Sequence, residues 1–181
     1  MSRAMSRQEN ARDDEDVSRL LAAAAKTIAH VRYCWLVTGA AHARPMGHVI
    51  SDPDGWNIRF ITGSRSRKAA DIRGAGKVGL IFQHDPTEAY VSLTGAATLV
   101  ERASEVNRLW KHAYDTYFPT ETERANAAFI EVAAERMELW IRGVTPEPFG
   151  LQTTELVRDA EGSWRFGDRH SKGGKSNAYS G

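Results

Sequence analysis

The run Phe60-Ile61-Thr62-Gly63-Ser64-Arg65-Ser66-Arg67-Lys68-Ala69 holds the residue types best suited to chemistry. A strand-like apolar stretch ends in small residues carrying three cations. It then leads into Ala69-Ala70-Asp71-Ile72, which reads as a first helical turn. Backbone N–H groups, hydroxyls and a helix start, with Arg and Lys beside them, make a seat for a phosphate. Arg65, Arg67 and Lys68 also fit a solvated surface loop, where charges contribute little. The residues by themselves leave both readings open.

Other chemistry is thinner. His30, His42, His84, His112 and His170 show no metal-ligand spacing, so no metal site is expected. His48 alternates with Met46 and Ile50 and reads as a hydrogen-bonded barrel histidine ahead of a catalytic one. Acidic pairs such as Glu135 and Glu138 read as solvated faces, and Trp110 with Phe118 as packing. No side chain stands out as a general acid or base, so the catalytic residues are left unassigned. The single cysteine, Cys34, excludes an intramolecular disulfide and a multi-cysteine metal site. Its strand-like setting, Val31 to Val37, predicts a buried small hydrophobe.

These residues need elements to position them. Residues 1 to about 16 are polar and predict a disordered tail; a helix over about 17–30 follows, with Val17, Leu20, Leu21, Ala24 and Ile28 on one face. Strands are predicted over 33–38, 43–51 and 56–62, with a turn at Asp52-Pro53-Asp54-Gly55. A short helix over about 67–73 ends at Gly74-Ala75-Gly76, and strands follow over 77–83 and 89–101. Ser104 is read as the cap of a helix over 104–117 that Phe118-Pro119 stops. A helix over 121–127, strands over 128–134 and 137–141, and a hairpin over 151–158 and 163–166 complete the pattern. The tail from Asp168 is Gly- and Ser-rich and predicts disorder. About six or seven antiparallel strands with few helices suggest a closed or partly closed barrel in one domain, 17–167.

Composition narrows the partners. With 24 basic against 23 acidic residues the net charge is +1, which gives no support for nucleic acid. No apolar run approaches the roughly 18 residues that span a bilayer, and no apolar signal core opens the chain. A soluble cytoplasmic protein is expected, with no membrane partner.

Several short pieces together resemble a known superfamily. They are Ala43-Arg44-Pro45-Met46, Thr62-x3-Ser66-Arg67-Lys68-Ala69, Lys77 to Phe82, and Gly95-x-Ala97. In this order they look like the pyridoxamine 5′-phosphate oxidase-like, FMN-binding split-barrel superfamily. Leu109-Trp110, Tyr117-Phe118-Pro119 and Met137-Glu138-Leu139-Trp140 fit its general stress protein 26-like branch. The resemblance spans about residues 20–145.

The resemblance implies a mostly β, six- to seven-stranded antiparallel split barrel that binds FMN at the interface of a homodimer. It implies that Ser66, Arg67 and Lys68 hold the FMN phosphate. Ile61 and Thr62 would touch the flavin, and Arg44, Pro45, Met46 and Gly47 would lie along its ring. Tyr90 would stand where the oxidase has a glutamine, and Trp140 would reach the flavin from the second subunit. After Trp140 the oxidase's Arg- and His-rich substrate clamp is missing, with Arg142 the only cation before Gly150. A true pyridoxamine 5′-phosphate oxidase is therefore not expected. The reading that remains is an FMN-dependent oxidoreductase acting on a small-molecule redox substrate, in a stress-related setting. Its alternatives are a flavin carrier, sensor or sequestering module without turnover, and the same fold holding a deazaflavin or haem.

Overall fold

The structure, a computed structural model, describes residues 2–39, 41–52 and 56–167, with side chains from Ala11 onward. The expected turn at 53–55 and the tail from Asp168 lie outside the described residues. By its contacts the chain forms two compact units. The first is built from the N-terminal helix, Gln83–Val91 and the chain from Arg136 onward; the second from Val31–Phe82 and Ser92–Glu135.

In the first unit helix α1 (Ser2–His30) runs through the polar stretch that precedes Val17. Its alanine-rich half favours helix, and Val17, Leu20, Ala24 and Ile28 are buried on one face. Leu21, expected on that face, is only half-buried.

Seven strand segments, most of their length in the second unit, form one curled antiparallel sheet. In chain order they are β1 (Tyr33–Thr38), β2 (His42–Gly47), β3 (Val49–Asp52), β4 (Asn57–Gly63), β5 (Lys77–His84), β6 (Ala89–Val100) and β7 (Ala127–Ile141). Their order across the sheet is β2-β1-β5-β6-β7-β4-β3. The two edge strands, β2 and β3, are joined through the single residue His48. A sheet whose opposite edges are one residue apart in sequence has to curl until those edges nearly meet, because one residue spans only about 3.5 Å. The result is a barrel open along one seam, as the mostly β, six- to seven-stranded prediction requires. The predicted strand over 43–51 is thus two strands. His48 is the point at which the chain leaves β1 for β4, and its ring meets Phe82 edge-on at 5.0 Å.

Alternation fills the interior. Leu36, Ile58, Phe60, Leu80, Phe82, Leu93 and Ile130 are fully buried, with Arg59 and Ile61 on the other face of β4; Phe129, also fully buried, packs in a second cluster with Val106 and Ala127. Cys34 is buried as predicted, and burial pushes its thiol up to about 12. Gly95 allows a close strand approach: a Cβ there would stand 2.1 Å from the Ala133 carbonyl oxygen.

Helix α2 (Arg67–Ala75) follows β4; Gly76, at φ 63°, closes it with a left-handed cap. Further on, the predicted helix over 104–117 is interrupted. Helix α3 (Ala103–Leu109) stops where Trp110 turns extended, and a 3-10 segment, His112–Thr116, follows. Trp110 turns inward there, donating Nε1–H to Asp115 at 2.9 Å and packing on Tyr114 and Phe118. That tertiary packing overrides continued helix, and the cap is Arg102 rather than Ser104. Helix α4 (Glu121–Ala125) opens on a capping box from Thr120 and Glu123. The two strands predicted over 128–134 and 137–141 are one, β7; exposed Glu135 and Arg136 do not interrupt it.

In the first unit the far end of β7 pairs with β8 (Thr154–Arg158), which turns back as β9 (Trp164–Phe166), giving the predicted hairpin.

Candidate functional site

The second unit holds a cavity of about 500 Å³, partly open to solvent. One wall is the seam of the sheet, Pro45, Met46, Gly47, His48 and Val49. A second is β4 and the loop after it, with Arg59, Ile61, Thr62 and Gly63, and Lys68 from the first turn of α2. The third is aromatic: Tyr114, Tyr117 and Phe118, with Tyr33 from β1. The size suits a cofactor or drug-sized ligand, and apolar walls with a few polar groups are what such sites present.

Six of the residues singled out from the sequence line this cavity: Pro45, Met46, Gly47, Ile61, Thr62 and Lys68. Ser66 sits at its edge. Its hydroxyl caps α2 by accepting from the Ala69 N–H at 3.3 Å and shares a hydrogen bond with Thr62 Oγ1 at 3.1 Å. This explains why Ser66 and Thr62 belong together: one hydroxyl pair fixes the strand end to the helix start. Arg67 is exposed and does not line the cavity.

Beside Lys68, which lines the cavity, stands Arg44, which does not. Its Nη2 approaches Asp71 at 3.9 Å, while its Nη1 is buried without a hydrogen-bond partner. Lys68 is half-buried, and burial, then the nearby Arg44 charge, lowers its pKa below the usual lysine range. Two cations held this close, one with an unused donor, leave the corner in surplus of positive charge.

Asp71 is the carboxylate of this corner. It accepts from Thr38 Oγ1 at 2.7 Å and from His42 Nδ1 at 3.2 Å. The Thr38 hydrogen bond, then those charges and bonds of His42 and Arg44, hold its pKa below the usual carboxylate range. Asp71 was in view in the sequence; its role was missed because Thr38 and His42 reach it only through the β1–β2 hairpin.

Tyr90 and Trp140 belong to the first unit. Tyr90 donates its hydroxyl to Asp85 at 3.2 Å, and Trp140 is half-buried in β7. Arg142 grips Glu88 through Nε and through Nη2 at 2.9 Å, and lies 4.4 Å above the Phe149 ring. Glu135, read as a solvated carboxylate, pairs with Lys77.

Sequence reasoning also missed the aromatic wall, assigning Phe118 to packing alone. Phe118 does pack against the buried cluster of Val106, Ala127 and Phe129, yet it also faces the cavity. The spacing of Tyr114, Tyr117 and Phe118 was its signal. Arg59 was visible too, as a cation on the outward face of β4; Glu131 on β7, directly opposite in register, accepts from its Nε at 2.7 Å. Among the described residues no group of three or more His, Cys, Asp or Glu side chains is placed to hold a metal. No helix among them is long and apolar enough to cross a membrane.

A family model described as pyridoxamine 5′-phosphate oxidase like matches residues 21–152. The chain belongs to that family. No curated protein matches it. General stress protein 26 from Bacillus anthracis is 20% identical over 66% of this chain and 92% of its own, with a TM-score of 0.55. A pyridoxamine 5′-phosphate oxidase-related, FMN-binding protein from Nostoc punctiforme is 16% identical over 79% of this chain and 89% of its own, with a TM-score of 0.59. PhzG from Burkholderia lata, solved with tetrahydrophenazine-1-carboxylic acid, is 17% identical over 83% and 88%, with a TM-score of 0.60. The family's split-barrel fold, read from the Arg44-Pro45-Met46 and Ser66-Arg67-Lys68 pieces, is borne out.

Proposed function

We propose that the cavity of the second unit holds FMN and that the protein is a flavin-dependent oxidoreductase. The observation that carries this reading is the corner where Arg44 Nη1 is buried with no partner beside Lys68. A dianionic phosphate supplies the acceptor that this donor lacks, and the cavity beside it is large enough for a ring system. Lys68 and Arg44 would hold the phosphate, with Ser66 next to them; Arg67, exposed and outside the cavity lining, is not part of the proposal. Pro45, Met46, Gly47, Ile61 and Thr62, which line the cavity, would border the ring. FMN supplies hydride chemistry when bound. The chain's own part is to bind, orient and shield.

A pyridoxamine 5′-phosphate substrate is not proposed. Arg142, the only cation after Trp140 in that stretch, is committed to Glu88 and Phe149. The same absence of a clamp supports the second reading, a flavin-binding module without turnover. Stopped-flow mixing of the FMN-loaded protein with NADH or NADPH separates the two: bleaching of the flavin band supports the oxidoreductase, and an unchanged band supports the module. A deazaflavin in place of FMN would show in the absorption spectrum of the purified protein.

A homodimer is part of the proposal. The outer face of β2, β1 and β5 is apolar: Trp35 and Ile81, opposite each other in register, are 46% and 40% exposed, and Pro45 pairs with Trp35 on the other side. Light scattering on the purified protein should give twice the chain mass of 20.1 kDa; a monomer at micromolar concentration contradicts the dimer.

A further inference from the structure

We propose that Asp71 is a positioning residue for the phosphate corner: it fixes the Arg44 guanidinium so that Nη1, together with Lys68, faces the anion. The inference rests on the reading of the cavity as an FMN site. Asp71 lies three residues after Lys68 on α2, so the two side chains share one helix face. Its Oδ2 gathers three groups from the β1–β2 hairpin: Thr38 Oγ1 at 2.7 Å, His42 Nδ1 at 3.2 Å and Arg44 Nη2 at 3.9 Å. Thr38 and His42 face each other in register, and Arg44 lies two residues further along β2 on the same side as His42. One carboxylate therefore ties the hairpin to the helix and holds the arginine that stands between them.

The hairpin turn is shaped around that carboxylate. Gly39 has φ +53°, and a Cβ at that position would lie 3.1 Å from Asp71 Cγ. Thr38 is 2% exposed, so its hydroxyl is an inner anchor for the carboxylate. With Nη2 directed toward Asp71, the planar guanidinium has its other amino group, Nη1, left over as the buried, unpartnered donor. Asp71 carries a charge of the same sign as a phosphate, which opposes binding. That repulsion acts across the guanidinium and is screened, whereas orientation governs a direct charge-assisted hydrogen bond; orientation decides the sign.

The test compares FMN with riboflavin, which differ by the phosphate alone, in fluorescence-quenching titrations of the full chain. Wild type binding neither compound would sink the FMN reading itself, and wild type binding both equally would remove the phosphate corner from it. With wild type preferring FMN, Asp71→Asn should lower FMN affinity about tenfold and leave riboflavin affinity unchanged. In the Arg44→Ala background the same substitution should cost FMN little, because the residue it positions is gone. Equal losses for both compounds would make Asp71 merely structural and overturn the proposal, as would a gain in FMN affinity. Thr38→Val, which removes the inner anchor and keeps the carboxylate, is the second variant should Asp71→Asn fail to fold. It should shift the FMN-to-riboflavin ratio in the same direction, and an unchanged ratio would overturn the proposal.

Discussion

Arg142 in the first unit and Arg44 in the second are both arginines held near a carboxylate, and they differ in what is left over. Arg142 meets Glu88 with two nitrogens and covers the Phe149 ring with its flat face. Arg136, in the same unit, pairs with Glu155 at 2.6 Å, a carboxylate only 6% exposed. Arg44 has a distant hold on Asp71, a second cation next to it and an unused donor. Saturated pairs bind the chain to itself. An unsaturated corner is prepared for something else, because leaving a buried donor unpaired costs roughly 1–3 kcal/mol that only a ligand or water can offset.

The sharpest way to break this contrast is to remove the unsaturated corner. Arg44→Ala with Lys68→Ala should weaken FMN binding by on the order of 2–4 kcal/mol, from two charge-assisted contacts, with little change in the urea midpoint. Isothermal titration and urea unfolding measure the two quantities; an unchanged FMN affinity would place the phosphate elsewhere. The opposite signature is expected from the saturated region. Arg136→Ala leaves Glu155 without its partner and should cost about 1–2 kcal/mol of stability, discounted because Arg136 itself is half-exposed. FMN affinity should not move. Loss of flavin binding in Arg136→Ala would blur the division between the two regions.

A smaller effect tests the barrel interior. Burial raises the Cys34 thiol from 9.0 in the unfolded chain to about 12 in the fold. Its contribution is fully present below about pH 9 and is lost as pH rises toward 12, because the unfolded thiol ionises first. At neutral pH the native thiol should therefore react with a disulfide reagent far more slowly than the urea-unfolded one. Equal rates would mean that β1 is not packed as described.

Much of this was legible in the chain. The alternation of Trp56, Ile58 and Phe60 with Asn57 and Arg59 gave β4, and Gly76 gave the end of α2, because local periodicity and a left-handed cap are written in single residues. The split at His48 was not legible: nothing local marks where a strand exchanges one partner for another. The interruption of the helix at Trp110 was hidden for a similar reason, since its propensity is helical and only Asp115, Tyr114 and Phe118 pull it away. At the site, residues neighbouring in sequence were found: Pro45 to Gly47, Ile61, Thr62 and Lys68 all line one cavity. Residues brought in by topology were not. Asp71 needed the hairpin, Arg59 needed Glu131 across the sheet, and the tyrosine wall needed the 3-10 segment to fold back.

The most direct test of the central claim is a titration of FMN with the purified protein, followed by quenching of the flavin fluorescence. The account predicts saturable binding at one FMN per chain at micromolar protein, tighter than for riboflavin and weakened by rising salt as screening reaches Arg44 and Lys68. No quenching at micromolar protein would contradict it.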